Sequence, residues 1–191
     1  MSCLNKLLQN IADDCTDAKN AVAGISTKAV IINVDDIDLT ALTLSGAVIT
    51  NLSLLSGATG YSAVTVKRLH NTASEFAAND AGVDKYNHSY SGRIFAQGRK
   101  AAELSSQLKN GRFIVIVETS WGKGTDDAFA VFGTQNGLVM TESTFNSNEN
   151  DGGVLFVLGS EEGFGEEYQY QVWDEGTYTS NKAKFDALFA E

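Results

Sequence analysis

The stretch Arg112-Phe-Ile-Val-Ile-Val-Glu118 is the most hydrophobic run in the chain. It is apolar at five successive positions, from Phe113 to Val117. A strand with one wet face would alternate between apolar and polar residues, so this pattern predicts a strand that is covered on both faces. We expect this strand to be the rigid element that holds the neighbouring strands in place.

A second strand and a helix precede this run. Residues 86–95 predict a strand, and residues 97–109 predict a helix in which Ala101, Leu104 and Leu108 share one apolar stripe. An Asn-Gly pair directly after the helix is a typical stop signal. The whole unit therefore predicts strand, helix, strand, with the helix laid on a sheet.

Short strands separated by turns account for most of the remaining chain. The sequence predicts about eight to ten strands with mostly hairpin connections, and Asn136-Gly137 is the strongest hairpin signal. The predicted fold class is α+β with mostly antiparallel β, as a β-sandwich or barrel with a flanking helix and short terminal helices. Residues 1–26 are predicted to be a helical arm and linker. Residues 27–191 are predicted to be a single β-rich domain that ends in a helix at 180–190.

Composition limits the function classes. The chain has 191 residues, of which 43% are hydrophobic and 20% charged, so it can bury a core. It has no apolar run of roughly 18 residues and no signal-peptide pattern, which predicts a protein made and used in a cytoplasm. Cys3 and Cys15 have no nearby histidine and do not match a zinc site. Free thiols are favoured there, and a pairing between the two is left open.

The excess of acidic over basic residues lies entirely in the second half of the chain. Residues 1–100 carry nine acids and nine bases, whereas residues 101–191 carry fifteen acids and five bases and so account for the net charge of -10. A protein that grips phosphates needs basic clusters, so high-affinity nucleic-acid binding is not expected. An acidic surface would instead let DNA slide past without sticking.

Few residues suggest chemistry. Asp35, Asp36 and Asp38 close a strand, a place where carboxylates can hold a magnesium ion, so a metal-dependent hydrolase is one alternative. His70 and His88 are the only histidines, and neither lies in a motif with a nucleophile or a metal ligand. His88 lies in an alternating pattern and is expected on a sheet face. The sequence predicts no catalytic residue, no cofactor and no resident metal.

The order of these elements resembles that of the phage tail-tube and related virion structural proteins, particularly those of phages with Bacteroidetes hosts. The resemblance covers most of the chain. It rests on the Cys-containing segment before Val30-Ile-Ile-Asn-Val-Asp-Asp36, the strand-helix-strand unit of 84–119, the hairpin of 129–138, and residues 167–173 followed by a small helix. The family implies a tail-tube-like β-barrel or sandwich with a flanking helix. Six copies would form a ring, and rings would stack into a hollow tube that conducts DNA.

The resemblance also implies two sets of site residues. The long polar segment 71–83 would be a loop that reaches a neighbouring subunit. Its predicted interface residues are Asn71, Thr72, Glu75, Phe76, Asn79 and Asp80. The predicted lumen acids are Glu161, Glu162, Glu166 and Glu167.

The implied partners are copies of the chain itself in a hexameric ring, together with other tail or neck proteins. DNA would pass without specific binding, and no membrane is involved. The implied location is the virion, after assembly in the host cytoplasm. A different connector, neck or capsid-associated protein is the first alternative, and the metal-dependent hydrolase is a weaker one.

Overall fold

The structure is a computed structural model that describes residues 23–65, 69–79, 82–95, 98–148 and 153–187. In these ranges the chain forms eleven strands, two helices and a short 3₁₀ turn. The strands are β1 (Ile25–Asn33), β2 (Thr43–Ser45), β3 (Val48–Asn51), β4 (Tyr61–Val64), β5 (Asn71–Ala77), β6 (Lys85–Ile94), β7 (Phe113–Thr119), β8 (Phe129–Phe132), β9 (Leu138–Phe145), β10 (Val154–Ser160) and β11 (Gln171–Trp173). The helices are α1 (Arg99–Leu108) and α2 (Tyr178–Ala187), and the 3₁₀ turn is Val34–Asp36. The predicted N-terminal helix, with Cys3 and Cys15, lies outside the described residues.

The strands join into one open, mixed sheet. Its main path runs β2-β3-β11-β8-β7-β9-β10-β6-β5. Two strands lie off this path: β1 pairs with β7, and β4 pairs with β1. The pairing of β11 with β3 is parallel and the other pairings between strands are antiparallel. A single residue pair, Phe113 with Leu138, joins β7 to β9. The mostly sheet α+β class is therefore confirmed, while closure into a sandwich or barrel stays a prediction.

The prediction for β7 is confirmed, since all seven of its residues are buried. Val115 and Val117 face one core cluster, and Ile114 and Ile116 face a second cluster on the opposite side. The edges of β7 are also covered, because it pairs with β1 along one side and with β8 along the other. An uninterrupted apolar run is stable in this position because each face has its own apolar partners.

The two core clusters have different covers. The first cluster contains residues of β1, β7 and β8 together with Tyr90 of β6 and Phe156 of β10. The part of the sheet formed by β6 and β10 therefore packs across this cluster from β1, β7 and β8. The second cluster lies between the other face of β7 and the C-terminal helix, and it contains the fully buried Trp173 and Phe185. Both clusters depend on β7, which, like its neighbours β1 and β8, supplies residues to each side.

The predicted hairpin at Asn136-Gly137 is wrong, although the turn itself exists. The chain turns between Gly133 and Gly137, whose φ angles of 80° and 73° lie in the left-handed region that suits glycine. The flanking strands do not pair with each other: β8 pairs with β7 and β11, whereas β9 pairs with β10. Both strands contact β7, since β8 pairs with Val115–Glu118 and Leu138 of β9 pairs with Phe113, so the turn joins two neighbours of β7 that do not pair with each other.

Helix α1 lies close to its predicted position. It begins at Arg99 after Gly98, whose φ of 65° allows the chain to turn into the helix. Ala101 is buried in the first core cluster and Leu108 packs against that cluster, as the predicted stripe requires. Leu104 remains 36% exposed, so the stripe is only partly covered in the described chain.

Helix α2 begins earlier than predicted. The sequence predicts a start at residue 180, but the helix starts at Tyr178, directly after Thr177. The Thr177 N–H donates to Ser180 Oγ at 3.1 Å, and the Ser180 N–H donates to Thr177 Oγ1 at 3.3 Å. This reciprocal pair satisfies two N–H groups that a helix end otherwise leaves unbound. The predicted end at 190 lies outside the described residues.

Glu175 connects α2 to the sheet. Its carboxylate accepts hydrogen bonds from the Leu52 N–H at 2.5 Å, from Trp173 Nε1 at 2.9 Å and from Lys184 Nζ at 2.8 and 2.9 Å. Burial raises the pKa of Glu175, but the hydrogen bonds from Lys184, Leu52 and Trp173 outweigh it and leave that pKa below its ordinary value. One carboxylate thus fastens β3, β11 and α2 together.

Replacing Val115 with aspartate is expected to abolish folding. Val115 is fully buried within β7, and an isolated carboxylate there would cost more than about 4 kcal/mol. Circular dichroism and urea titration of the purified variant would measure the loss. Thr144→Asp, on the exposed part of β9, is the matched control and should leave the unfolding midpoint nearly unchanged. A folded Val115→Asp variant would show that β7 is not the central support.

Acid should weaken the attachment of α2. The folded-state pKa of Glu175 lies below its unfolded value near 4.5, so its stabilising effect is complete above about pH 5. The effect is lost as the pH falls through the lowered pKa. Urea midpoints measured between about pH 7 and pH 3 should fall less steeply in Glu175→Gln than in the parent chain. Glu103→Gln, exposed on α1, is the control and should keep the parental slope.

Candidate functional site

Strand β5 is an open edge of the sheet. It pairs with β6 along its whole length, from Asn71 opposite Ser91 to Ala77 opposite Lys85. Within the described ranges no strand pairs with its other side. An edge strand of seven residues presents a row of backbone donors and acceptors to any chain that approaches it. This edge is the candidate functional site.

The outward backbone groups of β5 belong to Thr72, Ser74 and Phe76. In antiparallel pairs, successive residues direct their N–H and C=O groups alternately to the two sides. The N–H groups of Tyr86 and His88 in β6 are bound on the side away from β5, at 2.8 and 2.9 Å. Their cross-strand partners, Phe76 and Ser74, therefore form non-hydrogen-bonded pairs with β6 and direct their backbone groups outward.

The predicted interface loop is wrong as a loop, because residues 71–77 form β5. The segment is small and polar, without the β-branched alternation that marks a strand. It becomes a strand because β6 offers it a full ladder of hydrogen bonds. Asn79 follows the strand, and its N–H donates to Asp84 Oδ1 at 2.9 Å. Asp80 lies outside the described residues, and the interface role of the whole set stays a prediction.

Phe76 is the apolar feature of this edge. It is 61% exposed, and its ring meets the ring of Tyr86 edge-on at 5.8 Å. Asn71 and Glu75 are also exposed. The edge therefore combines free backbone groups with one large exposed aromatic ring.

The inward face of β5 is unusually polar. Thr72 and Ser74 share it, opposite Tyr90 and His88, and His70 precedes them at the same spacing. Ser74 Oγ is buried and makes no hydrogen bond within the described residues. A buried hydroxyl without a partner is destabilising, so this face is not an ordinary piece of core.

His70 and Tyr90 form a buried pair. The Tyr90 hydroxyl lies 2.5 Å from His70 Nδ1, and the two rings stack at 5.6 Å. Burial raises the pKa of Tyr90, so its hydroxyl stays protonated and donates to Nδ1. Burial lowers the pKa of His70, against a smaller opposing effect of the Thr27 backbone, so the ring is neutral at pH 7. The remaining proton is therefore on Nε2, which is also buried.

His88 has a structural role. It lies on β6, as predicted, and is buried. Its Nδ1 accepts a hydrogen bond from the Gly133 N–H at 3.2 Å, and its Nε2 donates to the Tyr168 carbonyl at 2.9 Å. Burial lowers the pKa of His88, against smaller opposing effects led by the Tyr168 carbonyl. Both nitrogens are therefore occupied in holding the 133–137 turn and the 167–170 segment against the sheet.

The predicted lumen acids do not form one exposed group. Glu166 is buried, and its carboxylate accepts the backbone N–H groups of Gln135 and Asn136 at 2.9 and 3.0 Å. This corrects the expectation of four exposed acids, because Glu166 holds the 133–137 turn. Glu161 forms an ion pair with Arg112 at 2.5 Å. Glu162 and Glu167 are exposed, and a lumen role for the three remaining acids stays a prediction.

Two of the three acids of the alternative hydrolase site, Asp36 and Asp38, accept hydrogen bonds within local turns. Asp36 Oδ2 accepts a hydrogen bond from Asn33 Nδ2 at 2.7 Å, and Asp38 Oδ1 accepts from the Thr40 hydroxyl and backbone at 2.6 and 3.0 Å. The Thr40 hydrogen bonds hold the pKa of Asp38 below its ordinary value. In the parts of the chain that the structure describes, no three His, Cys, Asp or Glu residues are placed to hold a metal ion.

Sequence reasoning missed the aromatic pair of Trp121 and Tyr170, whose ring centroids lie 6.3 Å apart. The two residues are far apart in the sequence and share no motif. It also missed the polar stripe of His70, Thr72 and Ser74. Their period of two was present in the sequence, but a polar stripe at that spacing is not a strand signal.

Comparison with protein-family models, curated proteins and solved structures finds no match for this chain. Among the described helices, none is long and apolar enough to span a membrane.

Replacing Glu166 with glutamine should destabilise the fold by about 1–3 kcal/mol, because an amide NH₂ would face a backbone N–H that now donates to the carboxylate. Urea unfolding followed by circular dichroism would measure the change. Glu162→Gln is the matched control, an exposed acid of the same region that should shift stability by less than about 0.5 kcal/mol. Equal effects of the two substitutions would contradict the structural role of Glu166.

Proposed function

We propose that this chain is a phage virion structural protein, and in particular a tail tube subunit that forms stacked homo-oligomeric rings and conducts DNA. The role is geometric and electrostatic and involves no catalysis. The observation that carries the proposal is the open edge of β5, with the outward backbone groups of Thr72, Ser74 and Phe76. A strand edge of this kind adds a neighbouring strand through main-chain hydrogen bonds.

The protection of this edge is weak, which supports self-association. Proline, inward-pointing charges and bulges are the usual devices that stop edges from pairing. The chain contains no proline, and the β5–β6 register is continuous without a bulge. Glu75 is the only charged residue of β5.

The sheet also has other ends that can serve as the complementary edge. The main path ends at β2, and β4 pairs only with β1 in the described chain. Tyr61 and Val64 on β4 are 52% and 55% exposed. Contact between two different edges is a head-to-tail interface, and such interfaces close into rings when the rotation between copies allows it. In such a ring the sheets of neighbouring copies would join into the tail-tube-like barrel.

The charge distribution supports passage of DNA. Glu162 and Glu167 remain exposed after the pairing of Glu161 and the burial of Glu166. Acidic groups on an inner wall would repel the DNA backbone and prevent adhesion. A connector or neck subunit would use the same edge with a different copy number and without filaments. Nothing favours the hydrolase, since Asp36 and Asp38 are engaged in turns.

Phe76→Pro should impair assembly and leave the monomer folded. The substitution removes the outward N–H and the exposed ring of Phe76, and it leaves the hydrogen bonds between β5 and β6 intact. Proline is tolerated on an edge strand at positions whose N–H points away from the sheet. The concentration needed for rings or tubes should rise at least about tenfold, a change equivalent to one hydrogen bond or a little more. Negative-stain electron microscopy and mass photometry would measure it.

Glu75→Pro is the matched control, one residue away. Glu75 lies opposite Asn87 in a pair that is hydrogen-bonded to β6, so proline there should destabilise the monomer by about 2–3 kcal/mol. A parent protein that stays monomeric at high concentration in every salt tested, including with preformed tail tips as initiators, would overturn the proposed function. Assembly of Phe76→Pro at the parental concentration would reject β5 as the edge used.

A further inference from the structure

Two Asn-Gly pairs occur in the chain, and the fold places them in opposite environments. Asn110-Gly111 lies in the turn that leads from α1 into β7. Asn136-Gly137 lies in the turn between β8 and β9. An asparagine directly before a glycine is the most reactive asparagine in a peptide chain, because glycine has no Cβ to hinder ring closure between the two residues. Both pairs are therefore candidates for the same chemical modification.

The modification is deamidation. The backbone nitrogen of the glycine attacks the side-chain carbonyl carbon Cγ of the asparagine, and a C–N bond forms. The nitrogen gives its proton to solvent, the Cγ–Nδ2 bond breaks, and the amide leaves as ammonia. Water then opens the cyclic succinimide at either carbonyl, which leaves aspartate or isoaspartate. Water is the only co-reactant, so the reaction needs no enzyme, oxidant or reductant.

The structure blocks this reaction at Asn136. The attacking nitrogen, that of Gly137, donates a hydrogen bond to the Gly133 carbonyl at 3.0 Å. The leaving amide, Asn136 Nδ2, donates to the Gly165 carbonyl at 2.9 Å. The Asn136 backbone N–H donates to Glu166 Oε1 at 3.0 Å. Ring closure requires rotation about bonds that these contacts fix, so hydrogen bonds must break before the reaction can begin.

Asn110 is open to the reaction. It is exposed, and it lies in a turn beyond Leu108, the last residue of α1. Solvent therefore reaches its side-chain amide directly. Packing requires the glycine that follows, because a Cβ on Gly111 would clash with the ring of Phe113, which belongs to the first core cluster. The reactive pair is thus built into the corner at which the chain enters its central strand.

We propose that Asn110 is a site of spontaneous deamidation, which converts this corner to aspartate or isoaspartate, whereas Asn136 keeps its amide in the folded chain. The selectivity comes from the fold, since the two pairs have the same local chemistry. This inference does not rest on the proposed function, because the reaction depends on the structure of one copy alone.

The products weaken the end of α1. The C-terminal end of a helix carries partial negative charge, so a new carboxylate just beyond it is unfavourable. Isoaspartate also routes the main chain through the former side chain and lengthens the link between α1 and β7. Leu108, in the last turn of α1, packs against the first core cluster, so this attachment is loosened. Strand β7 is paired on both edges and is not affected.

The first experiment incubates the full parent chain at mildly alkaline pH, at which the Gly111 nitrogen loses its proton more readily. Glutamyl endopeptidase is used for the digest, because trypsin would cut at Lys109 and Arg112, on both sides of the pair. Mass spectrometry should show deamidation at least about tenfold faster at Asn110 than at Asn136, since hydrogen bonds must break first at Asn136. Isoaspartyl methyltransferase should label the Asn110 peptide.

Unfolding is the control for intrinsic reactivity. In urea both pairs lose their surroundings, so the difference in rate between Asn110 and Asn136 should largely disappear. Glu166→Gln weakens the hold on the 133–137 turn and should speed deamidation at Asn136 without changing it at Asn110. Asn110→Gln should remove the fast reaction, because the longer side chain closes a ring far more slowly.

Hydrogen exchange on fresh and aged protein measures the effect on α1. Amides in the last turn of α1 should exchange about two- to fivefold faster after deamidation, as expected for an unfavourable charge at a helix end. The amides of β7 should keep their protection. Asn110→Asp carries the new charge without the longer backbone and should also show this increase.

Three results would contradict the proposal. One is deamidation of Asn136 as fast as that of Asn110 in the folded chain, since the hydrogen bonds of the 133–137 turn would then give no protection. Another is an Asn110 that keeps its amide as long as Asn136 does in the folded chain while both react in urea. The last is exchange in α1 that deamidation leaves unchanged, which would refute the effect on the helix.

Discussion

The burial of β7 on both faces is the constraint on which the rest of the structure depends. A strand with apolar residues at five successive positions needs two separate apolar covers and two strand neighbours. The described chain meets these needs with β1 and β8 on the edges, one core cluster against β6 and β10, and a second against Trp173 and α2. Each of these elements removes a different edge or face of β7 from water.

Acidic side chains fasten this arrangement. Buried Glu118 at the end of β7 accepts a hydrogen bond from the Tyr178 hydroxyl at 2.7 Å, and this bond raises the pKa of Tyr178 to about 12. Glu166 holds the 133–137 turn, and Glu175 joins α2 to β3 and β11. Part of the acidic excess of the second half of the chain is thus structural. The charge available for any surface role is smaller than the composition suggests.

Strand β5 contrasts with β7 in nearly every respect. It carries polar residues on both faces and is paired on one edge only, and its inward face leaves Ser74 Oγ without a partner in the described chain. Such a strand contributes little apolar burial, so its composition is not explained by stability alone. Its backbone edge is the proposed contact with a neighbouring copy, and its inward side chains lie on the opposite, sheltered side of the strand.

The sequence by itself determined the central strand, helix α1, most strand positions and the mostly sheet α+β class, because apolar periodicity reports burial directly. It did not determine that residues 71–77 form a strand, that the strands flanking Asn136-Gly137 pair with β7 and β10 rather than with each other, or that Glu166 is buried. Each of these depends on a partner that the local sequence pattern does not specify: β6 for β5, β7 for β8, and the backbone of Gln135 and Asn136 for Glu166. The two Asn-Gly pairs are likewise the same in sequence, and only tertiary packing distinguishes them. Asn136 is held by hydrogen bonds to Gly165 and Glu166, whereas Asn110 is exposed in the turn after α1.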